Sequence, residues 1–189
     1  MRSMLMLMSL LLACATSSAQ AAPLPLKLAG SSITFTFKQM NVPVDGRFTR
    51  FDGQFDFDAA KPQAAHIEMN VDVASVSIGE DADPEVVKPT WLAATTHPQA
   101  RFVSRSVKAL SGNRFEATGA LSIKGVSREI AVPFTYVAQG SGAQVDGGFT
   151  LHRADYKIGD GEWSAFDIVA NDVAVKFHLA LGVPASSHQ

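Results

Sequence analysis

Most of the residues that carry covalent chemistry are scarce in this 189-residue sequence. There is a single cysteine, Cys14, inside the N-terminal apolar stretch. Beyond that stretch, disulfides and thiol nucleophiles are excluded. The five histidines are His66, His97, His152, His178 and His188. They form no close pair at metal-ligand spacing and no His-x-x-x-His. His66, His152 and His178 fall at polar positions of alternating segments and read as solvated. Gly140-Ser141-Gly142 is a turn signal that lacks the Gly-x-Ser-x-Gly spacing of a serine nucleophile. Carboxylates are scattered where nothing would raise a pKa. Basic blocks are also missing: 16 Lys plus Arg stand against 18 Asp plus Glu, a formal net charge of −2, interspersed along the chain. Nucleic acid is therefore not an expected partner. No apolar run approaches the roughly 20 residues needed to span a bilayer as a helix. The expectation is a protein without catalytic residues, metal or cofactor.

The chain opens with a recognisable leader. Arg2 supplies a positive start, Met4–Ala13 is apolar apart from Ser9, and Ala15–Ala22 is rich in Ala and Ser. That order is the one a secretion signal follows. Ala19-Gln20-Ala21 offers a site for release, which would leave a periplasmic protein. Leu11-Leu12-Ala13-Cys14 offers the alternative of a lipoprotein anchored through Cys14. The reading is a cleaved signal over 1–21, a linker over 22–28, one domain over 29–182 and a loose tail over 183–189. Losing Arg2 with the signal leaves 15 cations against 18 acids, a net of −3.

From Ser31 onward the apolar period is two, which describes strands with one buried face. Phe35 and Phe37 alternate with Thr34, Thr36 and Lys38; Phe55 and Phe57 oppose Gln54 and Asp56; Ile67, Met69 and Val71 oppose Glu68 and Asn70. A weaker strand holds Phe102. Phe115 and Leu121 share a parity, as do Ile130, Val132 and Phe134, then Phe149 and Leu151, and finally Val173, Val175 and Phe177. These eighteen side chains are the expected interior lining. Short turns such as Ser111-Gly112-Asn113 make neighbouring strands antiparallel. Eight such strands close into a barrel or split into a sandwich. Strand-interior Gly53, Gly119 and Gly147 favour the barrel and would leave space inside it. The fold class is all-β, an eight-stranded antiparallel barrel with a short helical segment around 83–96. There Asp83-Pro84 starts a helical turn and Pro89 interrupts it. The acidic residues Glu80, Asp81, Asp83 and Glu85 lack the spacing of a calcium loop. A flat edge at Ser31–Lys38 would let two copies pair as a homodimer.

Several motifs occur in a fixed order: Gly46-x-Phe48, Phe51-Asp52-Gly53-x-Phe55-x-Phe57-Asp58, Pro98-x-Ala100-x-Phe102-x-Ser104, Gly119-x-Leu121-x-Ile123-x-Gly125-Val126 and Asp155-Tyr156-x-Ile158-Gly159. Together they resemble the YceI-like family of bacterial periplasmic proteins, over about Leu28 to Leu181. The resemblance implies a lipocalin-like barrel whose interior holds an isoprenoid lipid, either a polyprenyl lipid or a lipoquinone tail. The Arg153–Trp163 stretch resembles a subset associated with membrane b-type cytochromes, which implies such a partner as the alternative. Composition alone favours an ordinary packed core, and the resemblance reverses that preference. For a head group, Arg153, Tyr156 and Trp163 cluster around one Gly-rich turn, where polar-edged aromatics suit a mouth; a solvated strand end is the plainer account. The short first strand, opening with Pro23 and Pro25, puts barrel closure at that edge in question.

Overall fold

The computed structural model describes residues 24–182; the leader, Cys14 and the tail from 183 lie outside them. The strands are β1 (Leu24–Gln39), β2 (Val42–Phe48), β3 (Phe51–Asp56), β4 (His66–Asp72), β5 (Val76–Ser77), β6 (Gln99–Ala109), β7 (Arg114–Ile123), β8 (Val126–Gln139), β9 (Gly142–His152) and β10 (Asp172–Gly182). All pair antiparallel, in the order β10-β9-β8-β7-β6-β4-β3-β1-β2-β5, and a further β10–β1 ladder closes the ring. Ten segments make eight staves because two staves bend. β2 continues into β3, and β4 continues through a 3-10 turn at Val73–Ser75 into β5, with β5 still paired to β2. Buried Ser75 joins the two bends: its Oγ accepts from Thr49 N (3.2 Å) and Arg50 N (3.0 Å) and donates to Asp72 O (2.7 Å). The eight-stranded antiparallel barrel is thus present.

The alternation read from the sequence is sharpest in β7, where Phe115, Ala117, Gly119, Leu121 and Ile123 are all buried and their neighbours are not. β6 carries a bulge between Ser104 and Ser106. Gly119 sits opposite it, so close that an added Cβ would lie 2.2 Å from Val103 O; any side chain would break this ladder. Ser104 Oγ accepts from Ile67 N (2.8 Å), which fixes β6 to β4 beside the bulge.

Three expectations change. The stretch 22–28 is not linker from Leu24 on, since Leu24 and Pro25 pair with Phe55 and Gln54 of β3. Pro25 lies at the strand start, where its missing N–H is tolerated, and closure is complete. Nor is Ser31–Lys38 an edge: it lies between β10 and β2, with its backbone already used on both sides, so pairing of two copies there has no free ladder. Finally, the glycines do not leave room inside. The position above Gly147 is taken by the Phe177 ring and that above Gly53 by Met69 Sδ. The helical segment is a single turn, α1 (Asp83–Val86), followed by tight turns to Pro98.

Candidate functional site: an apolar cavity with one mouth

The barrel encloses a cavity of about 440 Å³. Sixteen of the eighteen expected side chains line it, from Phe35 and Phe37 on β1 around to Val173, Val175 and Phe177 on β10. The two exceptions are Phe57 and Phe115. They share the inward parity but lie at one end, where Phe57 packs edge-on against Phe115 (4.9 Å) and Phe134 (5.6 Å) and against Tyr136 (4.7 Å). These rings, with Ala143, Val145, Leu179 and Leu181, close that end of the barrel with solid core. Parity tells which side of the sheet a residue faces but not its height along the barrel axis.

The opposite end is built from two segments outside the ladder. One runs through α1 to Trp91 and Leu92; the other follows β9 and contributes Ile158, Trp163 and Val169. Gln39 and Glu85 add polar groups to an otherwise apolar wall. Apart from Trp163, expected at the mouth, none of these was expected from the sequence, because irregular segments carry no apolar period. The signal available was the pair of tryptophans, which meet here at 5.5 Å.

Arg153 holds the second segment in place. It is 2% exposed, so the picture of a solvated strand end does not apply. Its guanidinium donates to six carbonyls: Trp163 O (2.7 Å), Val169 O (2.8 Å), Ile158 O (2.9 Å), Gly159 O (3.0 Å), Ala170 O (3.1 Å) and, at 3.4 Å, Ala165 O. A guanidinium has five N–H groups, so all are spoken for. The Phe166 ring covers it at 5.3 Å. Burial pulls its pKa below the ordinary value, with Asp160 opposing. Arg153 lines the cavity but has no donor left for a ligand head group, and its part is to shape the mouth.

Tyr156 does not reach the cavity. It packs beneath Leu121, Ile123 and Ile158 and borders a separate outer cleft with Arg128, Glu129 and His152. Burial pushes its phenol pKa up, Asp155 adding to the rise and Arg128 opposing it. The 3-10 turn at Arg153–Tyr156 sends consecutive side chains in different directions, which the sequence cluster did not anticipate. Of the three expected mouth residues, Trp163 alone both lines the cavity and keeps its side-chain polar group uncommitted among the recorded bonds. A further joint ties the two mouth segments: Gly159 N and Asp160 N both donate to Thr90 O (2.9 Å each), and Lys124 Nζ donates to Lys157 O (2.5 Å).

Comparison with known proteins agrees with this geometry. A family model described as YceI-like domain matches residues 25–181. A UPF0312 protein of Azotobacter vinelandii is 33% identical over 120 residues, covering 60% of this chain and 62% of that one, so the match spans less than two thirds of that relative. Among solved structures, Burkholderia cenocepacia BcnA superposes with a TM-score of 0.80 at 38% identity, covering 82% of this chain and 98% of that one. A polyisoprenoid binding domain from Saccharophagus degradans, implicated in plant cell wall breakdown, shares the fold at a TM-score of 0.68 and 16% identity, covering 85% and 98%.

Proposed function

The chain belongs to the YceI-like family, and on that premise we propose that it binds a long-chain isoprenoid lipid, a polyprenyl lipid or a lipoquinone, in its barrel and carries or stores it in the bacterial periplasm. It acts as a binding protein, and the lipid is its ligand and not a catalytic cofactor. The observation that carries this reading is the apolar cavity of about 440 Å³ in a domain small enough to have filled its own interior. The polyisoprenoid-binding neighbour of the same fold supports the choice of ligand. A fully packed interior would have favoured a scaffold for a membrane cytochrome.

The size of the cavity limits what it encloses. A dry apolar cavity of roughly 150 Å³ accepts one benzene. By that scale 440 Å³ takes about eighteen carbons, three or four isoprene units. At about 0.8 kcal/mol per buried methylene, transfer from water would yield about 14 kcal/mol, below the observed ceiling near 20. Transfer from a bilayer, another apolar phase, nets little, which suits a protein that must also let go. The rest of a longer chain leaves through the mouth.

Native mass spectrometry of protein purified from its own periplasm, followed by lipid extraction, tests the reading. One isoprenoid per chain is expected. Protein that holds none, and extracts none from membranes carrying labelled lipid, would overturn it.

A further inference from the structure

We propose that the mouth of the barrel carries a docking surface for the face of a lipid bilayer, centred on the β1–β2 hairpin tip and the 166–168 segment. The inference rests on the lipid-binding reading and adds where the lipid is exchanged.

The surface consists of Met40, Val42, Phe166 and Ile168, which are 74%, 62%, 53% and 37% exposed. They come from two segments joined by backbone hydrogen bonds: Met40 N donates to Ile168 O (2.7 Å), Ala170 N donates to Lys38 O (2.9 Å), and Gln39 bridges Val169. The four side chains thus form one patch. It is continuous with the cavity, because Gln39 and Val169 both line the interior and Val42, paired directly with Gln39, shares its face.

The hairpin is costly in two ways. The β1–β10 ladder ends at Thr36, and beyond it the hairpin is held on that side by the 168–170 segment alone. The two tip residues, Met40 (φ 50°) and Asn41 (φ 64°), adopt the left-handed conformation that favours Asn-Gly or Gly-Gly at such turns. A large apolar side chain there, three quarters in water, neither eases the turn nor packs the core. Its exposure makes sense if an apolar phase covers it.

The ligand chemistry selects that phase. A chain of some eighteen buried carbons has no favourable route through water, so the mouth must meet the phase in which the lipid is dissolved. The two segments that form the patch carry Lys38 and Asp167, one cation against one acid. That balance gives no pull toward anionic head groups, so the surface suits zwitterionic lipid, bound by apolar insertion and insensitive to salt.

The test uses the purified protein, phosphatidylcholine vesicles and a dansyl-labelled farnesyl probe, delivered either in the vesicles or from cyclodextrin. Met40→Ser combined with Val42→Ser is expected to weaken vesicle association and slow probe uptake from vesicles by about a hundredfold, about tenfold per side chain. Uptake from cyclodextrin should stay unchanged, which also reports that the variant is folded. Adding anionic lipid or salt should leave wild-type binding unaltered. Equal vesicle association by wild type and variant overturns the proposal. So does a wild type that forms dimers lost in the variant while ignoring vesicles, since the patch would then join two copies. Failure to load from either source, with vesicle binding intact, would count against the lipid reading and not against this surface.

Discussion

At the closed end of the barrel, Phe57, Phe115, Phe134 and Tyr136 interlock, and the ladder runs on without interruption. At the open end the chain leaves the ladder twice, and its irregular turns are held by hydrogen bonds to Arg153 and Lys124. Apolar packing adapts to shape but leaves no opening. A buried cation can pin irregular backbone around an opening, provided every donor finds a carbonyl. One end thus gains stability from burial of area, the other from satisfied polar groups.

This contrast can be broken from either side. The largest effect is expected at Arg153→Ala, which strips six carbonyls of their donor; a loss of about 4 kcal/mol, or about 10 °C in Tm, should be read by thermal denaturation. Proteolysis of that variant should begin within 158–170, whereas a uniform loss of protection would show that Arg153 supports the whole barrel. Phe115→Ala at the other end is expected to cost about 3 kcal/mol, measured by urea unfolding. It should also lengthen the cavity, so the variant should retain isoprenoids with more units than the wild type does. Between the ends, Val175→Trp fills space with indole: probe binding should fall more than tenfold while stability changes by less than about 1.5 kcal/mol. A larger drop in stability would mean the cavity is smaller than its walls suggest.

Two smaller effects sharpen the comparison. Met40→Asn with Asn41→Gly supplies the residues the tip conformation favours and should raise stability by about 1 kcal/mol, or about 3 °C. The closed end has no such reserve. On the outer wall, hydrogen bonds from Gln144 and His178 hold the Asp146 carboxyl below the usual carboxylate range, with partial burial opposing. A folded-state pKa that is depressed gives stability that is complete above the unfolded value near 4 and is lost as pH falls through the folded one. Since the Asp146 side chain is about 42% exposed, solvent screens the pair and the gain is below about 1 kcal/mol. Asp146→Asn should therefore melt slightly earlier than wild type at neutral pH and converge with it in acid.

The staves were legible because a period of two survives along each of them. Phe35, Ile67, Leu121 and Val175 all face where alternation puts them. What alternation cannot encode is height, which is why Phe57 and Phe115 were placed among the lining. It is equally silent on segments without a period, and Trp91, Leu92 and Val169 reached the wall unannounced. Arg153 was misleading for another reason: a charged residue at a strand end is ordinarily solvated, and six carbonyls from neighbouring turns leave no mark in the order of residues. Pro25 advertised a break, yet at the first position of a short ladder its ring costs nothing.

The seam between β1 and β10 has a consequence in time. Ala180 N donates to Ser31 Oγ across 149 residues of chain, and the first strand can pair on that side only with the last. Until Asp172–Gly182 has emerged, everything before it is a curled sheet with two raw margins, open to sticking to its own kind. Pairing between such remote stretches is slow. Folding should therefore pass through a lag that shortens when the two termini are joined by a linker and the chain is reopened at the Met40-Asn41 turn.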